Sequence, residues 1–171
     1  MRPGNVISRC ARGFTLPEAL LASAVLATVV IAVGQAVVAG QMQGYAGAHD
    51  RRAILVAEDL LERVLALPYA DPDGLSTSGP EADEAGFQTF DNSDDYDGYA
   101  EEAGALLDGA GQPYLVEGYE TFRRNVTVTY ETINIPGLAA AHPGLMVRVL
   151  VEDGSGRGWR LERFVPDPTG L

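Results

Sequence analysis

Gly13-Phe14-Thr15-Leu16-Pro17-Glu18-Ala19-Leu20-Leu21 opens a stretch that meets no further Asp, Glu, Lys or Arg until Asp50. Its dense part, residues 19–39, is mostly Ala, Val, Leu and Ile. A bilayer core of about 30 Å needs roughly 20 such residues in a helix, so the stretch is long enough to span. A secretory signal peptide fits poorly. Its apolar region runs roughly 7–15 residues and precedes a small-residue cleavage site. Here the run is longer, and the Gly13-Phe14 junction lies before it. A plain signal anchor explains the length and the basic flank of Arg2, Arg9 and Arg12, which stays cytoplasmic under the positive-inside rule. It leaves Glu18 unexplained, because a carboxylate at the edge of a span costs free energy unless something there uses it.

Glu18 also has a local reason to be tolerated, since the helix macrodipole favours negative charge in a first turn. Pro17 suits the same turn, where a missing N–H has no intrahelical partner anyway. Working outward, residues 14–67 read as one helix, with 14–39 as its membrane-spanning part. Its second half is amphipathic. Ile54, Ala57, Leu61, Val64 and Leu65 recur at three- and four-residue spacing, with Leu60 and Leu67 beside them. Asp50, Arg51, Arg52, Glu58, Asp59, Glu62 and Arg63 fill the rest, and Pro68 ends the helix. Gly34, Gly40, Gly44 and Gly47 lower helix propensity in the middle. They serve either a helix that loosens or one that packs closely on neighbours.

Residues 68–171 read as a small globular β domain. Its first part, through residue 118, is loop-like, rich in Asp, Gly, Pro and Ser, with short helical or strand pieces expected. Strand alternation follows over 120–135, with Val126, Val128 and Tyr130 opposite Thr127, Thr129 and Glu131. It recurs over 145–152, with Val147, Val149 and Val151, and over 158–165, with Trp159 and Leu161. Asp153-Gly154-Ser155-Gly156-Arg157 reads as a hairpin turn. The expected fold is α+β: a long N-terminal helix packed on a small antiparallel β-meander.

Composition narrows function. The chain has 171 residues, with 24 acidic and 12 basic residues and a net charge of −12. Every basic residue is Arg. So acidic a surface argues against nucleic-acid binding, which wants basic patches. The single cysteine, Cys10, lies before the apolar run. No disulfide within the β domain is available, so its stability rests on core packing.

The acidic run Phe90-Asp91-Asn92-Ser93-Asp94-Asp95-Tyr96-Asp97-Gly98-Tyr99, inside an acidic loop over 71–102, is the second notable feature. Calcium takes clustered carboxylate and carbonyl oxygens. Against the EF-hand frame, Ser93, Asp95, Asp97 and Gly98 fall at positions 1, 3, 5 and 6, but the closing Glu is replaced by Gly104. A calcium site of another kind on Asp91, Asp94, Asp95 and Asp97 stays open, beside the plainer reading of a solvated acidic loop. Otherwise no cofactor is expected. Gly154-Ser155-Gly156 lacks the frame of a nucleophile elbow. His49 and His142, the two histidines, signal neither a triad nor a multi-histidine metal site. Asn125-Val126-Thr127 is a sequon inside a strand pattern. No catalysis is expected.

The residues Gly13 to Leu21 are similar to the type III signal of type IV pilins and type II secretion pseudopilins. The resemblance covers about the first 55 residues well and the rest in general layout. It implies cleavage between Gly13 and Phe14 by a prepilin peptidase on the cytoplasmic face, and N-methylation of the new terminal Phe14. It further implies that Glu18 pairs with the Phe14 amine of a neighbouring subunit, which relieves two charges in an apolar setting. Losing residues 1–13 removes three arginines and Cys10, taking the net charge from −12 to −15. The missing disulfide departs from many major pilins, and the Asp-Asp-Tyr segment resembles one found in some minor pilins. The expectation is a minor structural subunit of a type IV pilus, first in the bacterial inner membrane and then in a periplasmic or surface filament. Its partners would be the prepilin peptidase, other pilin or pseudopilin subunits and membrane lipid. Two alternatives stand beside it: a type II secretion pseudopilin, and a signal-anchored periplasmic binding protein or enzyme.

Overall fold

The computed structural model describes residues 13–72, 74, 78–134 and 141–170. Arg2, Arg9, Cys10 and Arg12 of the basic leader lie outside the described residues. The chain divides into two compact units, Met1–Tyr45 and Ala46–Leu171.

One helix, α1, spans Leu16–Leu65 without interruption at its four glycines. The expected bounds of 14–67 are met to within two residues at each end. Its start is closed by the glutamate half of a capping box. The Glu18 carboxylate accepts the Thr15 N–H at 2.9 Å and the Thr15 hydroxyl at 2.8 Å, tying off the N-terminal turn. Within Met1–Tyr45, the described residues are exposed throughout, large aliphatic side chains included. That stretch of α1 is long and apolar enough to cross a membrane, judged by length and composition.

In Ala46–Leu171, the last turns of α1 pack on a four-stranded antiparallel sheet in the order β1-β2-β3-β4. The strands are β1 (Ala100–Glu101), β2 (Arg123–Asn134), β3 (Ala141–Glu152) and β4 (Gly158–Pro166). The layout is α+β, as expected, and type IV pilin-like: one long apolar N-terminal helix on a small antiparallel sheet. Alternation sets the register. Val126 faces Val149 and Val128 faces Val147 across β2 and β3, and all four are buried. Val149 and Val151 meet Leu161 and Trp159 on β4. Each buried valine contributes about 1.5–3 kcal/mol by leaving water. At the β3–β4 turn, Asp153 N–H donates to the Arg157 carbonyl at 3.0 Å, and Gly156 takes a left-handed φ of 83° that its lack of a Cβ permits.

Two expectations need correction. The buried face of α1 is Ala53, Val56, Ala57, Leu60 and Val64. Ile54 is exposed, and Leu61 and Leu65 sit at the margin of the core. Arg124 meets this same face, reaching the Val56 carbonyl as described below. Tyr130 continues the alternation of Val126 and Val128 yet is 57 % exposed, for the core ends at Val128. Its phenol is instead drawn to Asp94, and burial together with that carboxylate pushes its pKa up to about 12.

Pro68 ends the helix by lacking an N–H, and Ser93 completes the end. Its hydroxyl lies 3.1–3.2 Å from the carbonyls of Val64, Leu67 and Pro68, and its N–H donates to the Pro68 carbonyl at 2.9 Å. The acidic run is thereby anchored to the helix end.

Candidate functional site

Polar side chains gather at several places among the described residues. The first is the N-terminal junction. Gly13, Phe14 and Thr15 are non-helical and exposed, and with Glu18 they line one open recess. The backbone at the Gly13–Phe14 bond is therefore accessible and free of helical hydrogen bonding. Glu18 carries two structural relations at once: it closes the capping box with Thr15 and stands four residues from Phe14. The signal for the box, Thr at the cap and Glu three positions later, is present in the sequence at Thr15-Leu16-Pro17-Glu18.

The second place is the acidic run, which is not a solvated loop. Asn92, Ser93, Asp94, Asp95 and Tyr96 are all buried, with a 3-10 turn at Asp94–Tyr96. Backbone N–H groups make this burial tolerable. Asp95 Oδ2 accepts the N–H groups of Asp91 at 3.0 Å and Asn92 at 2.9 Å, and Asp94 Oδ2 accepts that of Gly79 at 3.3 Å. The Asn92 side chain in turn accepts from the N–H of Asp94 at 2.8 Å. Burial still raises the pKa of both Asp94 and Asp95 above the ordinary carboxylate value. Of the four candidate calcium ligands, Asp94 points to Gly79 and Tyr130, and Asp97 Oδ1 accepts the Val128 N–H at 2.9 Å. The four are thus not brought together as one set. Asp95 is joined by Glu81 and Glu84, which the sequence pattern did not single out.

The third place is a buried ion network under α1. The Arg124 side chain is fully buried. Its Nε and Nη2 donate to the two oxygens of Glu101 at 2.9 and 3.1 Å, a bidentate pair. Its Nη1 donates to the Val56 carbonyl at 2.8 Å and to Asp59 at 3.1 Å, and Nη2 also donates to the Leu107 carbonyl. Glu101 further accepts from the Leu107 N–H and from the Tyr99 hydroxyl. Burial and this contact with Glu101 raise the Tyr99 pKa. Arg63 donates to Asp59 at 2.9 Å and stands over the Phe87 ring. Arg63 and Arg124 balance the charges of Asp59 and Glu101, so the network reads as architecture. Arg124 lies two positions before Val126, so the β2 alternation already placed it on the inward face.

His49 and His142 are not brought together. His49 Nε2 stands 2.9 Å from Asp153 Oδ2, and its ring lies 4.7 Å from that of Phe122. The Ser155 hydroxyl foremost, then His49 and Arg157, hold the Asp153 carboxyl well below the usual carboxylate range. An acid whose pKa folding lowers contributes stability that is fully present above its unfolded pKa of about 3.9 and is lost as pH falls towards the folded value. Asp153→Asn is therefore expected to lower the melting temperature at neutral pH. The gap from the parent should narrow below pH about 4, which thermal melts across that range will check.

Comparison of the chain with protein-family models, curated proteins and solved structures finds no match.

Proposed function

We propose that the chain is a minor pilin-like structural subunit, trimmed after Gly13 by a prepilin peptidase, methylated at Phe14 and assembled through α1 into a type IV pilus. The observation that carries this reading is the N-terminal junction. An accessible glycine–phenylalanine bond and a carboxylate four residues on stand at the mouth of a helix that carries no further charge until Asp50 and whose aliphatic surface is bare over that stretch. Such a helix needs lipid or neighbouring helices to cover it. An exposed positive amine created at Phe14 would give Glu18 of an adjacent subunit a partner in that apolar setting. The acidic β domain would remain outside the membrane and set which subunits it joins.

The capping box makes the test sharper. Glu18→Ala removes both the cap and the charge, whereas Glu18→Gln keeps an oxygen for the Thr15 N–H and loses only the charge. Tagged wild-type chain is expected in sheared filament fractions. Both variants are expected to be cleaved normally and to be missing from those fractions, by tenfold or more. Wild type confined to membranes would contradict the filament role. Normal incorporation of Glu18→Gln would show that Glu18 serves the cap alone.

A further inference from the structure

Asp95 carries an oxygen that its surroundings leave unsatisfied. The residue is 0 % exposed; its Oδ2 accepts two backbone N–H groups, while Oδ1 has no hydrogen-bond partner. A buried carboxylate oxygen without a donor is costly and rare. Two more carboxylates stand beside it. One oxygen from each of Glu81, Glu84 and Asp95 lies within 4.8 Å of the others, the one such acidic group among the described residues. Like charges this close repel, yet they are pinned. Glu84 Oε2 accepts the Glu81 N–H at 2.9 Å, and Glu84 Oε1 accepts the Asp91 N–H at 3.1 Å. Two of the three, Glu84 and Asp95, also share a wall: with Pro80, Phe90, Asp97 and Tyr99 they line an open cavity of about 220 Å³, room for an ion and several waters.

We propose that Glu81, Glu84 and Asp95 bind a divalent hard cation, calcium, between the loop before the acidic run and the buried turn itself. All the donors are carboxylate oxygens, a set that favours a hard cation over metals held by thiolate or imidazole. Two oxygens on one calcium at 2.3–2.6 Å can stand up to about 5 Å apart, whereas the shorter magnesium distances allow only about 4 Å. Oxygens lying within 4.8 Å of one another suit calcium, whose coordination is flexible where magnesium demands a near-ideal octahedron. Three protein carboxylates completed by water match the weaker calcium sites of extracellular modules, with Kd on the order of 10⁻⁴–10⁻³ M. Bound calcium offsets the mutual repulsion and gives Asp95 Oδ1 its missing partner. The raised Asp95 pKa supplies the competing possibility, a shared proton in place of the metal. This site does not depend on whether the chain enters a filament.

The full chain, solubilised in detergent and stripped with chelator, is titrated with terbium, a calcium-sized luminescent ion excited through nearby tyrosine. Tyr99 lines the cavity and Tyr96 adjoins Asp95. A saturable signal displaced by calcium is expected, together with a rise in melting temperature of about 5 °C at a hundredfold excess of calcium over Kd. Glu81→Gln combined with Glu84→Gln should abolish both, while the exposed neighbour Asp83→Asn should keep both. If the double variant does not fold, Glu81→Gln alone should weaken calcium binding at least tenfold. No calcium-displaceable signal and no melting shift up to about 10 mM calcium would overturn the proposal in favour of the shared proton. Equal responses from the site variants and Asp83→Asn would overturn it in favour of diffuse attraction to an acidic surface.

Discussion

Arg124→Ala is expected to destabilise the sheet-bearing unit by about 3–5 kcal/mol, enough to leave much of it unfolded at ordinary temperature. The loss comes less from the arginine than from what it leaves behind. Glu101 is 6 % exposed, and both of its oxygens accept from that guanidinium. Without it, a carboxylate stays buried with the Tyr99 hydroxyl, the Leu107 N–H and, 3.7 Å away, the Arg63 guanidinium as its remaining partners, none of them replacing the bidentate pair. The Val56 and Leu107 carbonyls lose a donor as well. The effect should therefore be strongly non-additive. Removing Glu101 in the Arg124→Ala background is expected to cost far less than removing it from the wild type, because the stranded charge goes with it. Chemical denaturation of the detergent-solubilised chain and its variants measures both. A loss under about 1 kcal/mol, or additive single and double variants, would show that the network is peripheral.

That network ties three segments that are distant in sequence. Asp59 and Val56 come from α1, Glu101 from β1 and Arg124 from β2. A strand of two residues such as β1 exists because it carries Glu101 to the guanidinium: Ala100 and Glu101 pair with Asn125 and Arg124. This explains why the acidic loop was only partly legible beforehand. Long-period signals were clear. A charge-free run followed by an amphipathic half gave α1 nearly to its ends, and valines at every second position gave β2 and β3 with their inward faces. The 153–157 turn was equally plain. Short elements and buried charges were not, because their cause lies in partners far along the chain. Asp94 and Asp95 look like solvated acids until the Gly79, Asp91 and Asn92 N–H groups that receive them are in place. The buried face of α1, Ala53, Val56, Ala57, Leu60 and Val64, lies about one residue from the stripe of larger apolar side chains, because the sheet it packs on is distant in sequence. At the N-terminal junction the residue types and spacing were legible at once. The second use of Glu18, closing the Thr15 cap, was written in the sequence but masked by the stronger question of its charge.

The other large effect concerns the junction itself. Removal of prepilin peptidase activity is expected to leave residues 1–13 attached to essentially every copy and to exclude the chain from filaments. The physical basis is local. A protease needs extended, accessible backbone, and Gly13–Thr15 are non-helical and exposed directly before α1 begins at Leu16. Cleavage there would leave the new amine within one turn of Glu18, where an uncleaved chain has only a neutral amide. Retained leader arginines would also keep three positive charges on the cytoplasmic side and hold the helix in the membrane. A signal-anchored enzyme or binding protein has no such dependence.

Mass spectrometry of the intact chain from cells with and without prepilin peptidase tests this most directly. The prediction is a mature terminus at N-methylated Phe14 when the peptidase is present, and an unprocessed chain beginning at its original terminus when it is absent. A terminus elsewhere, or identical processing in both strains, would contradict it.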